Sequence, residues 1–313
     1  MKKILTIMVF AFSILFLACS NDEPKDDDGV LKIKNVNDLL GLAESVNSGK
    51  NDFYRKKIIL VNDLDLSSIE NWTPIGKESA RFRGYFDGQN HKISGLKINS
   101  PYNDNQGLFG YADSAKISNL NITDAVVIGY EFVGTLLGRA WSATTIQNCS
   151  AENVSVEGYS VIGGLIGGIN TESKVEKCFV NDVIVKGKGV RIGGLTGTLA
   201  NNATLSNSYA VNCEVSGGGD NCGVLVGSID ACEINNCYAV GKVSTNSNQV
   251  GGLGYVSRSE AKVNNSFYSA EVNGVESGLE LSAMKDKSTF TGWDFNNIWT
   301  ISTDKNNGFP TLK

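Results

Sequence analysis

Histidine occurs once in this 313-residue chain and proline four times. A single histidine leaves too few ligands for a His-rich zinc site or a metal-bound triad. Basic residues are outnumbered, 28 Lys and Arg against 33 Asp and Glu, for a net charge of −5. A nucleic-acid binder needs the reverse, a basic face that releases counterions from phosphates, so nucleic acid is excluded as a partner. No apolar run is long enough for a bilayer span of about 20 residues. The longest, Ile4 to Ala18, has fifteen positions and is interrupted by Thr6 and Ser13. What the chain does have is 41% hydrophobic residues, enough to build a core and to exclude general disorder, and 35 glycines.

Met1-Lys2-Lys3 followed by that apolar run fits a secretory signal over residues 1–18. Losing Lys2 and Lys3 takes the charge from −5 to −7. Residues 19–29 are acidic, polar and broken by Pro24, and read as a flexible tether. Leu17-Ala18-Cys19-Ser20 resembles the lipobox of bacterial lipoproteins, departing from it at Phe16, where that motif has leucine. The resemblance implies cleavage before Cys19 and lipidation of Cys19, with the membrane reached through the lipid anchor. Ser20 and the acidic run resemble the outer-membrane and surface-export signals of Bacteroidetes lipoproteins. Outer-membrane, surface-exposed placement is therefore expected, with a plain secretory signal as the alternative.

The body repeats. Leu120, Cys149, Cys178, Ser208, Cys237 and Ser266 recur at steps of 29, 29, 30, 29 and 29. Three residues before them stand Ile117, Ile146, Val175, Leu205, Ile234 and Val263. A second block begins at Gly134, Gly163, Gly193, Gly223 and Gly251, with leucine at its third position each time. Short stretches of period-two alternation separated by Gly, Asn and Ser are strands and turns. Five-residue strands bury no face alone, but stacked repeats place like residues in columns about 4.8 Å apart. The spacing predicts an all-β, right-handed parallel β-helix, a three-sided solenoid of about 29 residues per coil. An outer-membrane barrel needs roughly 10-residue strands and aromatic girdles, which the repeats lack.

The Gly-Gly-Leu-Ile-Gly block at Gly163 to Gly167, the Ile-x-x-Cys segment and the step of 29 resemble the GLUG repeat of bacterial surface proteins. Gly107 to Gly110 resembles a shortened first copy; Val224 and Tyr255 depart from the motif. The resemblance implies a surface protein of adhesin type.

The expected organisation is signal 1–18, tether 19–29, lead-in and N-terminal cap 30–106, β-helix 107–275 and C-terminal cap 276–313. Val36 to Asn47 has helical apolar spacing, with Asn37 as its N-cap and Gly49 as its stop. Met284, Phe290, Trp293, Phe295, Trp299 and Phe309 suit a plug over the last coil, or an aromatic ligand patch.

Cys149, Cys178 and Cys237 share one column, and Cys213, Cys222 and Cys232 fall at other small or inward positions. Buried free thiols are expected, with a Cys149–Cys178 bridge as the alternative. The columns Asn119, Asn148, Asn207, Asn236, Asn265 and Asp124, Asn153, Asp182, Asn212 read as Asx turns. A calcium site needs six to eight oxygens converging on one point, whereas a column spreads them along a line. No cofactor and no metal are expected. A β-helix lyase or hydrolase needs paired carboxylates or a basic residue beside them. Arg139, Arg191 and Arg258 fall at different phases of the repeat, and Asp124 and Asp182 are two coils apart. His91, with Asp87 as its neighbour, reads as a turn histidine. No catalytic residue is assigned. The reading is a non-catalytic, lipid-anchored surface protein that binds glycans or host or bacterial surface proteins. A polysaccharide lyase or hydrolase, and a structural spacer or accessory subunit, are the alternatives.

Overall fold

The computed structural model describes residues 29–313. The signal segment, Cys19 and most of the acidic tether lie outside them. The described chain is a parallel β-solenoid of three walls. The first wall is a 17-stranded sheet, the second has five strands and the third has six.

One file of residues runs the length of the first wall. Leu31 pairs with Ile58, Ile58 with Phe86, Phe86 with Ile117, and the file continues through Ile146, Val175, Leu205 and Ile234 to Val263. The winding therefore begins at Leu31, inside the segment read as lead-in, and takes about eight steps. The early steps of 27, 28 and 31 residues differ from those that follow, because the helix and long loops there take the place of second- and third-wall strands. Ile58, Phe86, Ile117, Ile146, Leu205 and Ile234 are all 0% exposed. They belong to a single core running from Ile33 to Ala270.

The corners follow from local chemistry. Asn119, Asn148, Asn207, Asn236 and Asn265 have φ between 43° and 54°, and so does Lys177 in the same column. Asp124, Asn153, Asp182 and Asn212 have φ between 52° and 56°. This left-handed region costs most L-residues about 1–2 kcal/mol, and Asn and Asp least. The first wall therefore bends twice per coil, once at each column, which explains the Asx residues on backbone grounds. The Gly blocks turn the chain between the second and third walls. A Cβ on Gly163 would stand 2.1 Å from the Ile166 carbonyl oxygen, and one on Gly194 would stand 2.1 Å from that of Val224 in the next coil. Val224 is accommodated at the second position of its block and is fully buried.

The helix Val36–Asn47 forms as its spacing predicts and buries Leu39, Leu42, Ala43 and Val46. Its N-cap is Asn35 rather than Asn37. Asn35 is extended (φ −154°), and its side chain accepts from the Asp38 amide. Gly49, at φ 74°, ends it as expected.

The C-terminal segment departs from the expected plug. The parallel winding ends in an antiparallel hairpin, Phe267–Val272 with Val275–Gly278, turned by Asn273 and Gly274 at positive φ. The remaining chain then folds back along the outside of the first wall. There Phe179, Tyr209, Tyr238 and Phe267 form an outward file, with Phe179 and Tyr209 stacked at 4.8 Å and Tyr209 and Tyr238 at 5.1 Å. Met284, Phe290, Trp293, Trp299 and Phe309 pack on that file as a second, separate core. Burying a ready-made aromatic stripe outweighs covering the small cross-section of one coil. The last coil is left open, and Val263 is 40% exposed at the end of its file.

Candidate functional site

The six described cysteines are buried and unbridged. The Cys149 and Cys178 thiols lie 3.3 Å from the Gln147 and Glu176 carbonyls of their own strands. Burial pushes the Cys232 and Cys237 thiols up to about 12 and raises that of Cys213 further. All six are packing groups, and burial keeps Cys213, Cys232 and Cys237 as neutral thiols at neutral pH. Cys19 lies outside the described residues.

The Asx columns bond to one another. Asn148 donates to Asn119 at 2.9 Å and Asn119 to Asp87 at 2.9 Å. In the second column Asn153 donates to Asp124 at 2.6 Å. Asp182 accepts from Asn181, and Asn212 donates to Asn181. Asp124 and Asp182 are thus separated by Asn153 and act on no common point. No group of three or more His, Cys, Asp or Glu side chains is placed to hold a metal ion among the described residues. His91 pairs with Asp63 at 3.0 Å, not with Asp87, because the coil before it brings Asp63 alongside. Asp63 lies below the usual carboxylate range because it accepts from the Lys92 amide and from His91. Asp87 is occupied by Asn119 and Gln89.

Of the three arginines noted in the repeats, Arg258 pairs with Asp230 at 3.1 Å on an exposed edge, and Arg191 occupies a left-handed corner. Arg139 is different. It lies on the strand Leu137–Trp141 of the third wall, where Ala140 points inward and Arg139 and Trp141 point outward. Register sets Arg139 beside Tyr111 and Trp141 beside Asp113. On its other side Arg139 neighbours Gly168. A Cβ there would come within 2.9 Å of the Phe132 ring, so the missing side chain makes room for that ring. The Arg139 guanidinium carbon sits 4.5 Å from the centroid of Phe132, 4.6 Å from Trp141 and 5.4 Å from Tyr111. Arg81 stacks on Tyr111 at 4.7 Å and pairs with Asp113 at 2.8 Å. Tyr111 is an outward residue, yet 2% exposed, because two guanidinium groups cover it. Burial also holds its phenol above the ordinary value and so neutral.

Arg81 and Asp113 extend this cluster into a neighbouring groove of about 580 Å³, lined also by Asp52, Glu78, Ser79 and Arg83. Rings interleaved with guanidinium groups, beside a polar groove on a rigid sheet, present apolar faces and hydrogen-bond donors together. Reading the arginines one at a time misses this cluster. The signal available was the position after the closing glycine of each block, where Arg139 replaces Gly168, Thr198 and Ser228.

No protein-family model matches the chain. It is 30% identical, over 358 aligned positions, to a "Putative Gly-rich membrane protein" of Evansella cellulosilytica, covering 78% of this chain and 41% of that protein. The chain thus spans about two fifths of that relative's length. In three dimensions it is similar to a Bacteroides ovatus protein described as a "putative immunoglobulin A1 protease". The TM-score is 0.68 at 19% identity, over 92% of this chain and 93% of the other. That likeness shows the solenoid fold.

Proposed function

We propose that this protein is a non-catalytic binding protein of the cell surface, held at the membrane by lipid on Cys19, whose third wall retains glycans. The observation that carries the reading is the grouping of Trp141, on the outer face of that wall, and Phe132, from the adjoining second wall, around Arg139. Aromatic faces offer a flat apolar surface with little conformational entropy to lose, and charged edges beside them orient a polar ligand. A solenoid suits such a task, since its side chains stand on fixed strands rather than on loops that must be ordered on binding. The membrane relative supports association with a membrane, and the lipobox resemblance supports the anchor.

The test is retention of the full chain on a glycan array, scored both for binding and for released product. Retention without turnover is the expected result. Depolymerisation of a bound polysaccharide would replace this reading with a lyase or hydrolase. Absence of retention, with co-purification of a surface complex, would replace it with a structural role.

A further inference from the structure

Arg139 holds its charge among rings, with no carboxylate within ion-pair distance among the described residues. Arg81, Arg83 and Arg258 contrast with it, each paired with an aspartate: Asp113, Asp52 and Asp230. Asp113, in the neighbouring strand, is already taken by Arg81. The Arg139 Nε is buried and has no hydrogen-bond partner. Ring faces attract a guanidinium through its flat sides. Of the Arg139 nitrogens only Nε is both buried and unpartnered, and the terminal N–H groups form a fork that matches a carboxylate with two parallel hydrogen bonds.

We infer that Arg139 is the specificity-determining residue of the proposed glycan site and reads the carboxylate of an acidic sugar, a uronic acid within a polysaccharide. The inference rests on the glycan-binding reading above. Phe132 and Trp141 hold the guanidinium and offer the sugar ring an apolar face, while the fork takes the carboxylate in plane. Net negative charge of the chain sets only the long-range field, which salt screens beyond a Debye length of about 10 Å. A contact within hydrogen-bond distance is decided by the local cation.

The experiment measures retention of the full chain on alginate, on carboxyl-reduced alginate and on dextran sulfate, for the wild type, Arg139→Gln and Arg139→Lys. Expected are at least tenfold tighter retention on alginate than on its reduced form, and loss of that preference in Arg139→Gln. Arg139→Lys should fall between, since it keeps the charge and loses the fork. It also carries the test should Arg139→Gln fail to fold, as judged by its thermal unfolding. Equal wild-type retention on alginate and reduced alginate would overturn the inference and leave the glycan reading standing. So would an undiminished preference in Arg139→Gln. Retention confined to dextran sulfate would overturn the carboxylate in favour of a sulfate. Retention on none of the three polymers, together with a blank glycan array, would remove both the inference and the reading beneath it.

Discussion

The Tyr238 hydroxyl donates to the Pro310 carbonyl at 2.6 Å, joining residues 72 apart in sequence, and accepts from the Asn306 amide at 2.9 Å. The ring beneath it is fully buried between Tyr209 and the tail's Trp299. This one side chain is a member of the first wall and the anchoring point of the folded-back tail.

Tyr238→Phe keeps the ring and removes the hydroxyl, leaving the Pro310 carbonyl only the longer 3.3 Å bond from the Asn306 side-chain amide. Losing one such bond costs about 0.5–1.5 kcal/mol, and it falls on tail docking rather than on the coil ladders. Amide hydrogen exchange should therefore accelerate over residues 283–313 while protection of the strand 209–217 stays unchanged. Faster exchange across the ladders with an unaffected tail would contradict this picture.

At Asn148 a left-handed φ of 51° coincides with a side-chain bond to Asn119. Asn148→Val puts a β-branched residue where φ is positive and deletes the bond, a loss of about 2 kcal/mol by the cost of the left-handed region. Asn148→Gly keeps the backbone relaxed and should lose less than half as much. Urea unfolding of both variants measures the difference. Equal losses would show that the bond, not the conformation, holds the corner.

Two glycines give opposite signs. Gly41 lies within the helix with nothing near its missing Cβ. Gly41→Ala should stabilise by about 0.5–1 kcal/mol through helix propensity. Gly194→Ala would drive a Cβ against the backbone of the next coil, and overpacking of that kind costs about 1–3 kcal/mol. Thermal unfolding of the two variants should move in opposite directions.

Much of the fold was legible in the sequence because a solenoid turns register into periodicity. Ile117, Ile146, Val175, Leu205, Ile234 and Val263 recur near every 29 residues and lie in one file, as predicted. Periodicity also hides whatever breaks it. Leu31, Ile58 and Phe86 belong to the same file, but steps of 27 to 31 residues, with a helix where later coils have strands, mask the relation. The tail was misplaced for a related reason. Phe179, Tyr209, Tyr238 and Phe267 are outward residues whose neighbours in earlier coils, Ser150 and Asn121, are polar. An aromatic stripe confined to the last four coils is invisible to a repeat consensus. Arg139 is the same case in miniature: one substitution in one coil, given meaning by rings from other strands and by an absent side chain at Gly168.

The thiols connect packing to pH. Cys237 is fully buried, and burial raises its pKa from 9.0 to about 12. The unfolded chain therefore releases this proton at lower pH than the folded one. Stability contributed by the neutral thiol is complete below about pH 9, and as pH rises from there toward 12 it is lost at about 1.4 kcal/mol per pH unit. Cys237→Val keeps an apolar group of similar size and has no proton to lose. Its thermal midpoint should fall less steeply than the wild type's between pH 9 and 11, while the two track each other between pH 6 and 8. At pH 8 the native protein should also resist Ellman's reagent at the six described cysteines, all of which react once urea unfolds it. Parallel midpoint curves across the whole range, or prompt reaction of Cys149, Cys178 or Cys237 in the native state, would mean that the coil interior admits water at this column.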